Sequence, residues 1–252
     1  MKLFISHDYK DMSRQAAADL IELMQMWKDP LVCVASGDSP SGLYKNLADK
    51  FNKNELDISN WHFLGLDEWV GMNGNDEGSC RFHLNNQLFN LLRVPNDKIS
   101  FFDGRNKDLA KECNDIETSI LQQGGIDVAI VGLGLNGHVG MNEPGTPLTA
   151  RSHITTLDLI TQQTGQKYFK EKQQLKEGIT LGLATLMESK YILLLVSGAH
   201  KSAIVKKILE GNISEEVPGS LLRNHPGLMV YLDAEAAKLL EHKNDWPSNN
   251  PG

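Results

Sequence analysis

Residues 127–144 read Asp-Val-Ala-Ile-Val-Gly-Leu-Gly-Leu-Asn-Gly-His-Val-Gly-Met-Asn-Glu-Pro. Val128, Ala129, Ile130 and Val131 form a short apolar run rich in β-branched residues, the pattern of a buried strand. Gly132, Gly134 and Gly137 follow within a few positions, so the chain turns sharply there or lets another group approach its backbone. His138, Asn142 and Glu143 come directly after the turn. Open α/β sheets build their sites in this way, at the carboxyl ends of strands. An ordinary strand-to-helix connection with His138 and Glu143 on the surface fits the stretch equally well, and its neighbours in the chain decide between the two.

Three other places repeat the pattern. Residues 31–35 (Leu-Val-Cys-Val-Ala) predict a buried strand, followed by Ser36-Gly37-Asp38-Ser39-Pro40-Ser41-Gly42 and a helical run from Leu43. Small residues before a helix, with Pro40 suited to its first turn, aim backbone N–H groups at whatever sits at the helix N-terminus, an arrangement that suits a phosphate. A plain N-cap by Ser39 or Ser41 is compatible with that role. Residues 61–66 predict a strand ending in Asp67-Glu68-Trp69-Val70-Gly71, whose adjacent carboxylates suit acid–base work or a metal, or else a solvated turn. Residues 191–196 are the most apolar strand of the chain and lead into Ser197-Gly198-Ala199-His200-Lys201. A lysine at a helix start fits the helix dipole poorly, which implies an anion nearby.

Between these lie predicted helices at 13–27, 82–92, 108–124, 183–187, 202–210 and 234–242, and further strands at 99–102, 151–157 and 228–232. Residues 71–81 are polar and Gly-rich and predict a loop. Residues 162–178 are polar and lysine-rich and read either as a mobile lid or as a solvated helix. Strands alternate with helices about six times, which predicts an α/β fold with a mainly parallel sheet and helices on both faces. No linker divides the chain, so residues 1–243 are expected to form one domain, with 244–252 a disordered tail.

The balance of charge narrows the function. The net charge of −7 argues against a nucleic-acid partner. No apolar run approaches the ~20 residues of a membrane helix, and the N-terminus has no long apolar segment of a signal peptide. Cys33, Cys80 and Cys113 are odd in number and lack a Cys-x-x-Cys pair, so they read as reduced thiols of a cytoplasmic protein. An anionic substrate would need a local positive pocket. A phosphate loop, a carboxylate, a His–Glu pair and a lysine, all at strand ends, form a coherent set for a sugar phosphate.

The motifs Leu66-Asp67-Glu68-Trp69-Val70-Gly71, Gly137-His138 and Asn142-Glu143-Pro144, with the Ser36 loop and Ser197-Gly198-Ala199-His200-Lys201, resemble those of the amino-sugar-phosphate isomerase/deaminases. The resemblance runs in order to about Leu240. It implies a Rossmann-like three-layer sandwich and conversion of a 2-amino-2-deoxyhexose 6-phosphate to a ketose 6-phosphate plus ammonia. It further implies Asp67 as the base that moves a proton between C2 and C1. His138 would assist ring opening with Glu143 orienting and tuning it, and Asn136, two residues before the histidine, is counted with the catalytic set. Ser36, Gly37, Asp38, Ser39, Lys201, Glu68 and Gly137 would hold the substrate, with Lys167 standing where relatives place an arginine near the phosphate. That chemistry requires neither metal nor organic cofactor, and the fold leaves a homo-oligomer possible.

Asn136 departs from the aspartate of typical glucosamine-6-phosphate deaminases. Together with the runs at 66–70 and 178–183, it resembles the galactosamine-6-phosphate isomerase branch, which implies a preference for the galacto epimer. His153-Ile154-Thr155 stands where allosteric relatives carry a basic pair, implying that an effector phosphate is not bound there. Two alternatives accompany this reading. One is a 6-phosphogluconolactonase-type hydrolase, which shares the Gly-x-Gly…Gly-His pattern but lacks the Asn-Glu-Pro and Asp-Glu-Trp-Val motifs. The other is a non-catalytic sugar-phosphate sensor.

Overall fold

The computed structural model describes residues 1–242, and the tail expected at 244–252 lies outside them. In chain order the strands are β1 (Lys2–Ser6), β2 (Leu31–Val34), β3 (His62–Gly65), β4 (Asp67–Trp69), β5 (Ile99–Ser100), β6 (Val128–Val131), β7 (His153–Thr156), β8 (Glu177–Thr180), β9 (Tyr191–Val196) and β10 (Leu228–Asp233). Seven of them form one sheet in the order β1-β10-β9-β6-β2-β3-β5, and every pairing in it is parallel. The order runs outward in two directions from the β2–β6 pair, which makes that pair the topological switch point where such sheets open a crevice.

The β2, β6 and β9 strands are apolar without interruption because both of their faces are covered. On one face Val32, Val34, Val128, Ile130, Leu193 and Leu195 pack with Met12, Ala16 and Leu20 of α1 (Tyr9–Met24) and with Leu43, Tyr44 and Leu47 of α2 (Asp38–Asn52). On the other, Cys33, Ala129, Val131, Leu194 and Val196 pack with residues of two later helices, Cys113, Ile116 and Ile120 among them. The short α3 (Cys80–Leu84) precedes these two, which are α4 (Leu109–Gln122) and, after α5 (Leu159–Gly165) and α6 (Leu183–Met187), α7 (Ser202–Glu210). Each fully buried Leu, Ile or Val contributes roughly 1.5–3 kcal/mol of transfer free energy. The expected three-layer α/β architecture is the observed one. All three cysteines are buried free thiols. Among the described residues, no helix is long and apolar enough to cross a membrane.

Several expectations give way. A second, antiparallel sheet, β4-β8-β7, stands beside the main one. Asp67-Glu68-Trp69 is therefore a strand and not a turn, although Asp and Glu are poor strand formers. Leu66 joins the two sheets: its N–H donates to Val34 O of the main sheet at 3.1 Å, and its carbonyl accepts from Leu181 N at 3.0 Å. The loop after β2 is shorter than expected, because α2 begins at Asp38 with Gly37 (φ +123°) as its N-cap. Ser39 and Ser41 lie inside the first turn and do not cap it, and the Ser41 hydroxyl donates to Asp38 O instead. The helix expected at 82–92 is α-helical only to Leu84, then π-helical over Asn85–Phe89. The segment at 162–178 is α-helical to Gly165 and 3-10 helical over Gln166–Tyr168, and the Gln166 side chain bonds the Gln173 backbone twice and folds the rest back. Residues 234–242 turn repeatedly without forming a helix. Ala236, Ala237 and Leu240 are buried there, so packing on the sheet overrides a helix-favouring composition.

Candidate active site

The carboxyl ends of β2, β3, β6 and β9 open into one cleft of about 490 Å³, whose lining includes Ser36, Gly37, Asp38, Ser39, Asp67, His138, Lys167 and Lys201. The sequence placed all of these but Lys167 on four separate strand ends, and the topology brings them to one edge. Four expected members do not line it: Asn136 and Glu143 lie against His138, and Glu68 and Gly137 face elsewhere. Glu68 is fully buried and points the other way along β4. Its Oε1 accepts from Trp69 N and Cys80 N at 2.9 Å and its Oε2 from Arg81 N at 3.0 Å, so it caps α3 and does not line the cleft. Successive strand residues face opposite sides, which is why Asp67 and Glu68 part company. Gly137 also faces away from the cleft: a Cβ there would meet Val217 and Ile204.

Asp67, at the start of β4, is buried. Burial pushes its carboxyl up to about 6, against a hydrogen bond from the Cys80 thiol and the nearby His138 charge. A carboxylate so raised is a stronger base than one in water.

His138 is set by the glycine turn. Gly137, at φ +93°, makes the bend, Gly137 N–H donates to Gly134 O at 3.1 Å, and Gly134 N–H donates to His138 O at 2.9 Å. The imidazole lies directly over Gly134, where a Cβ would sit 2.3 Å from the ring. Asn136 Oδ1 accepts from His138 N at 3.2 Å, while Asn136 Nδ2 donates to Glu143 Oε2 at 2.7 Å. The same Oε2 lies 3.5 Å from His138 Nδ1. Burial works to raise the Glu143 carboxyl, yet hydrogen bonding to His138, Thr161 and Asn136 holds it below the usual range. Asn142 is fully buried and pins the turn, its Nδ2 donating to Val139 O and Leu181 O at 2.9 and 2.8 Å.

Lys201 reaches the cleft from the turn after β9, its Nζ 2.5 Å from Leu133 O. Burial and the neighbouring Lys167 pull its ammonium down to about 8. Lys167 is half exposed and pairs with Asp38 at 2.5 Å across the mouth. The turn carrying Lys201 is held by Asp233, whose two oxygens each accept from Gly198 N at 3.0 Å.

Sequence reasoning missed Thr161, Cys80 and Tyr168, all of which line the cleft. Thr161 Oγ1 lies 3.0 Å from His138 Nδ1, a contact across 23 residues that no local spacing signals.

The family model described as "Glucosamine-6-phosphate isomerases/6-phosphogluconolactonase" matches residues 7–231. A glucosamine-6-phosphate deaminase of Clostridium tetani is 37% identical over 241 residues, 95% of this chain and all of that protein. One of Oceanobacillus iheyensis is 34% identical over 94% of this chain and 95% of its own length. Among solved structures, a monomeric glucosamine-6-phosphate deaminase superposes with a TM-score of 0.92 at 34% identity, over 95% of this chain and all of that one. The 6-phosphogluconolactonase of Trypanosoma brucei, at 19% identity and a TM-score of 0.74 over 95% of this chain and 98% of that one, shares the fold. The chain belongs to the glucosamine-6-phosphate isomerase/6-phosphogluconolactonase family.

Proposed function

We propose that this chain is an enzyme that isomerises and deaminates a 2-amino-2-deoxyhexose 6-phosphate, releasing ammonia and a ketohexose 6-phosphate. The observation that carries the reading is the convergence of Asp67, His138 and Lys201 on one cleft of sugar-phosphate size. The relatives named glucosamine-6-phosphate deaminase support it.

Lys201, the residues 36–39 at the start of α2 and Lys167 at the mouth would hold the phosphate, combining charge with backbone N–H donors. His138 would take the proton of the anomeric hydroxyl and return it to the ring oxygen, opening the ring. Asp67 would then remove the proton from C2 and deliver it to C1 while a proton passes from the C2 nitrogen to O1, converting the amino aldose into the 2-imine of the ketose. Water adds to the imine carbon, the C–N bond breaks, and ammonia leaves with the ketose phosphate. Glu143 and Asn136 would keep the imidazole oriented. A carboxylate pushed up to about 6 remains mostly ionised at neutral pH and accepts a proton from carbon more readily than an ordinary aspartate.

We further propose that the galacto epimer is favoured over the gluco epimer. Asn136, with the runs at 66–70 and 178–183, supports this branch of the family. Ammonia release from galactosamine 6-phosphate and glucosamine 6-phosphate, with Asp67→Asn as control, tests both levels. Turnover of either substrate, lost in the variant, is expected. Higher kcat/KM on glucosamine 6-phosphate rejects the epimer preference, and no turnover of either rejects the reaction.

A further inference from the structure

Thr161 stands between His138 and Glu143. It lies in α5, an element that otherwise presents exposed Leu159 and Ile160 to solvent, yet Thr161 itself is only 5% exposed. Its Oγ1 is 3.0 Å from His138 Nδ1, whereas the Glu143 carboxylate approaches that nitrogen only to 3.5 Å. Asn136 Nδ2 already donates to the Glu143 oxygen nearest the ring, at 2.7 Å. The other oxygen, Oε1, is buried without a partner. The hydroxyl is therefore the nearest polar partner of His138 Nδ1, and it lies within the hydrogen-bonding environment of Glu143.

A hydroxyl both donates and accepts, so two arrangements of protons fit this geometry. The carboxylate separates them. An unprotonated Nδ1 would aim its lone pair at an anionic oxygen 3.5 Å away, and the Thr161 proton would turn away from that anion. With the proton on Nδ1, Nδ1–H donates to Thr161 Oγ1 and the threonine hydroxyl proton is free to point at Glu143. Both dipoles then run towards the negative charge. This leaves Nε2 as the unprotonated nitrogen of a ring that lines the cleft.

We propose that Thr161 is a positioning residue that fixes the Nδ1–H tautomer of His138, linking the imidazole to Glu143 through its hydroxyl. Where Asn136 replaces an acidic partner, the threonine supplies the contact that holds the ring. The catalytic consequence rests on the deaminase reading, because only a ring-opening histidine needs a free Nε2 facing the sugar.

The test uses ¹⁵N-histidine-labelled full-length protein, with the His138 resonances assigned by their loss in His138→Gln. The expected result for the unmodified protein is a protonated Nδ1 and an unprotonated Nε2. Thr161→Val keeps the shape and removes the hydroxyl, and it is expected to shift His138 towards the other tautomer. It should also lower kcat at least about tenfold, part of the ~10²–10⁴-fold contribution of a positioned acid–base group, with KM changed less than about threefold. Thr161→Ser is expected to restore both. A protonated Nε2 in the unmodified protein overturns the proposal without any variant. So does a Thr161→Val protein whose tautomer, or whose kcat, is unchanged. If the unmodified protein releases no ammonia from either epimer, the deaminase reading fails, while the tautomer comparison still decides the role of Thr161.

Discussion

Asn136 donates from Nδ2 to Oε2 of Glu143 at 2.7 Å, the carboxylate oxygen that also faces the imidazole. Glu143 is buried and its carboxyl is held below the usual range, so this amide helps keep an anion ionised inside the protein. A folded-state pKa below the unfolded value contributes stability at pH values above the unfolded pKa, and that stability is lost as pH falls through the folded one. Asn136→Ala is expected to destabilise the fold at pH 7 by about 1–3 kcal/mol, the range for a buried hydrogen bond to a charged group. Denaturant unfolding of both proteins at pH 7 and near pH 4 checks this. The difference should shrink at the lower pH, and an equal difference at both would show that the amide acts only through packing.

Asp67 has the opposite sign. Burial raises its carboxyl to about 6, so its ionised form is disfavoured in the fold relative to the unfolded chain, and stability declines as pH rises from about 4 to 6. Asp67→Asn is expected to lower turnover by about 10²–10⁴-fold and to raise stability at pH 7 by on the order of 1–3 kcal/mol. In the unmodified enzyme kcat/KM should fall as pH drops below about 6. A pH–rate profile and an unfolding curve supply both readouts. A variant less stable than the parent at pH 7 would contradict the burial penalty.

Gly134 is predicted to tolerate no side chain. A Cβ would lie 2.3 Å from the His138 ring and displace it. Gly134→Ala should lower kcat by about 10²-fold or more, since a small displacement of a catalytic group has that effect. The residues proposed to hold the phosphate would be untouched, so KM should change little. Steady-state kinetics beside a thermal unfolding curve separates a moved imidazole from a disrupted fold.

The two lysines should differ. Lys201 is half-buried and its ammonium is lowered to about 8, chiefly by burial. Lys167 is half exposed and already paired with Asp38. Lys201→Ala is expected to raise KM at least about tenfold and Lys167→Ala only a few-fold, as for a screened surface charge. Loss of charge on Lys201 as pH rises through about 8 should raise KM in the unmodified protein. Inorganic phosphate as a competitive inhibitor measures the same site without turnover. Equal effects of the two substitutions would refute the division.

Much of the frame was legible because parallel strands buried on both faces read as unbroken apolar runs, as at 128–131 and 191–196. The glycine turn and the lysine after β9 were legible because each carries an unusual residue at a strand end. The β4 strand was not, since Asp-Glu-Trp has no strand signal and is ordered by pairing with Thr180, Ile179 and Gly178 far along the chain. Glu68 was misassigned for the same reason, because the side its carboxylate faces depends on that pairing. Thr161 was invisible because its partner is brought to it only by the tertiary fold. The segment at 234–242 has the composition of a helix, but Ala236, Ala237 and Leu240 pack into the core against the sheet.

The junction at Leu66, bonded to Val34 on one side and Leu181 on the other, divides the chemistry between two mounts. The loop at 36–39, His138 and Lys201 follow strands of the large parallel sheet. Asp67, Thr161 and Lys167 belong to the small antiparallel sheet and the segment between its strands. In the proposed reaction, grip on the anion would thus be anchored mostly to the large sheet, and removal of the carbon-bound proton to the small one. A lesion in the small sheet, such as a side chain at Gly178 pressing on Met141 of the cleft lining, should leave a protein that still captures its ligand and has lost the geometry to transform it.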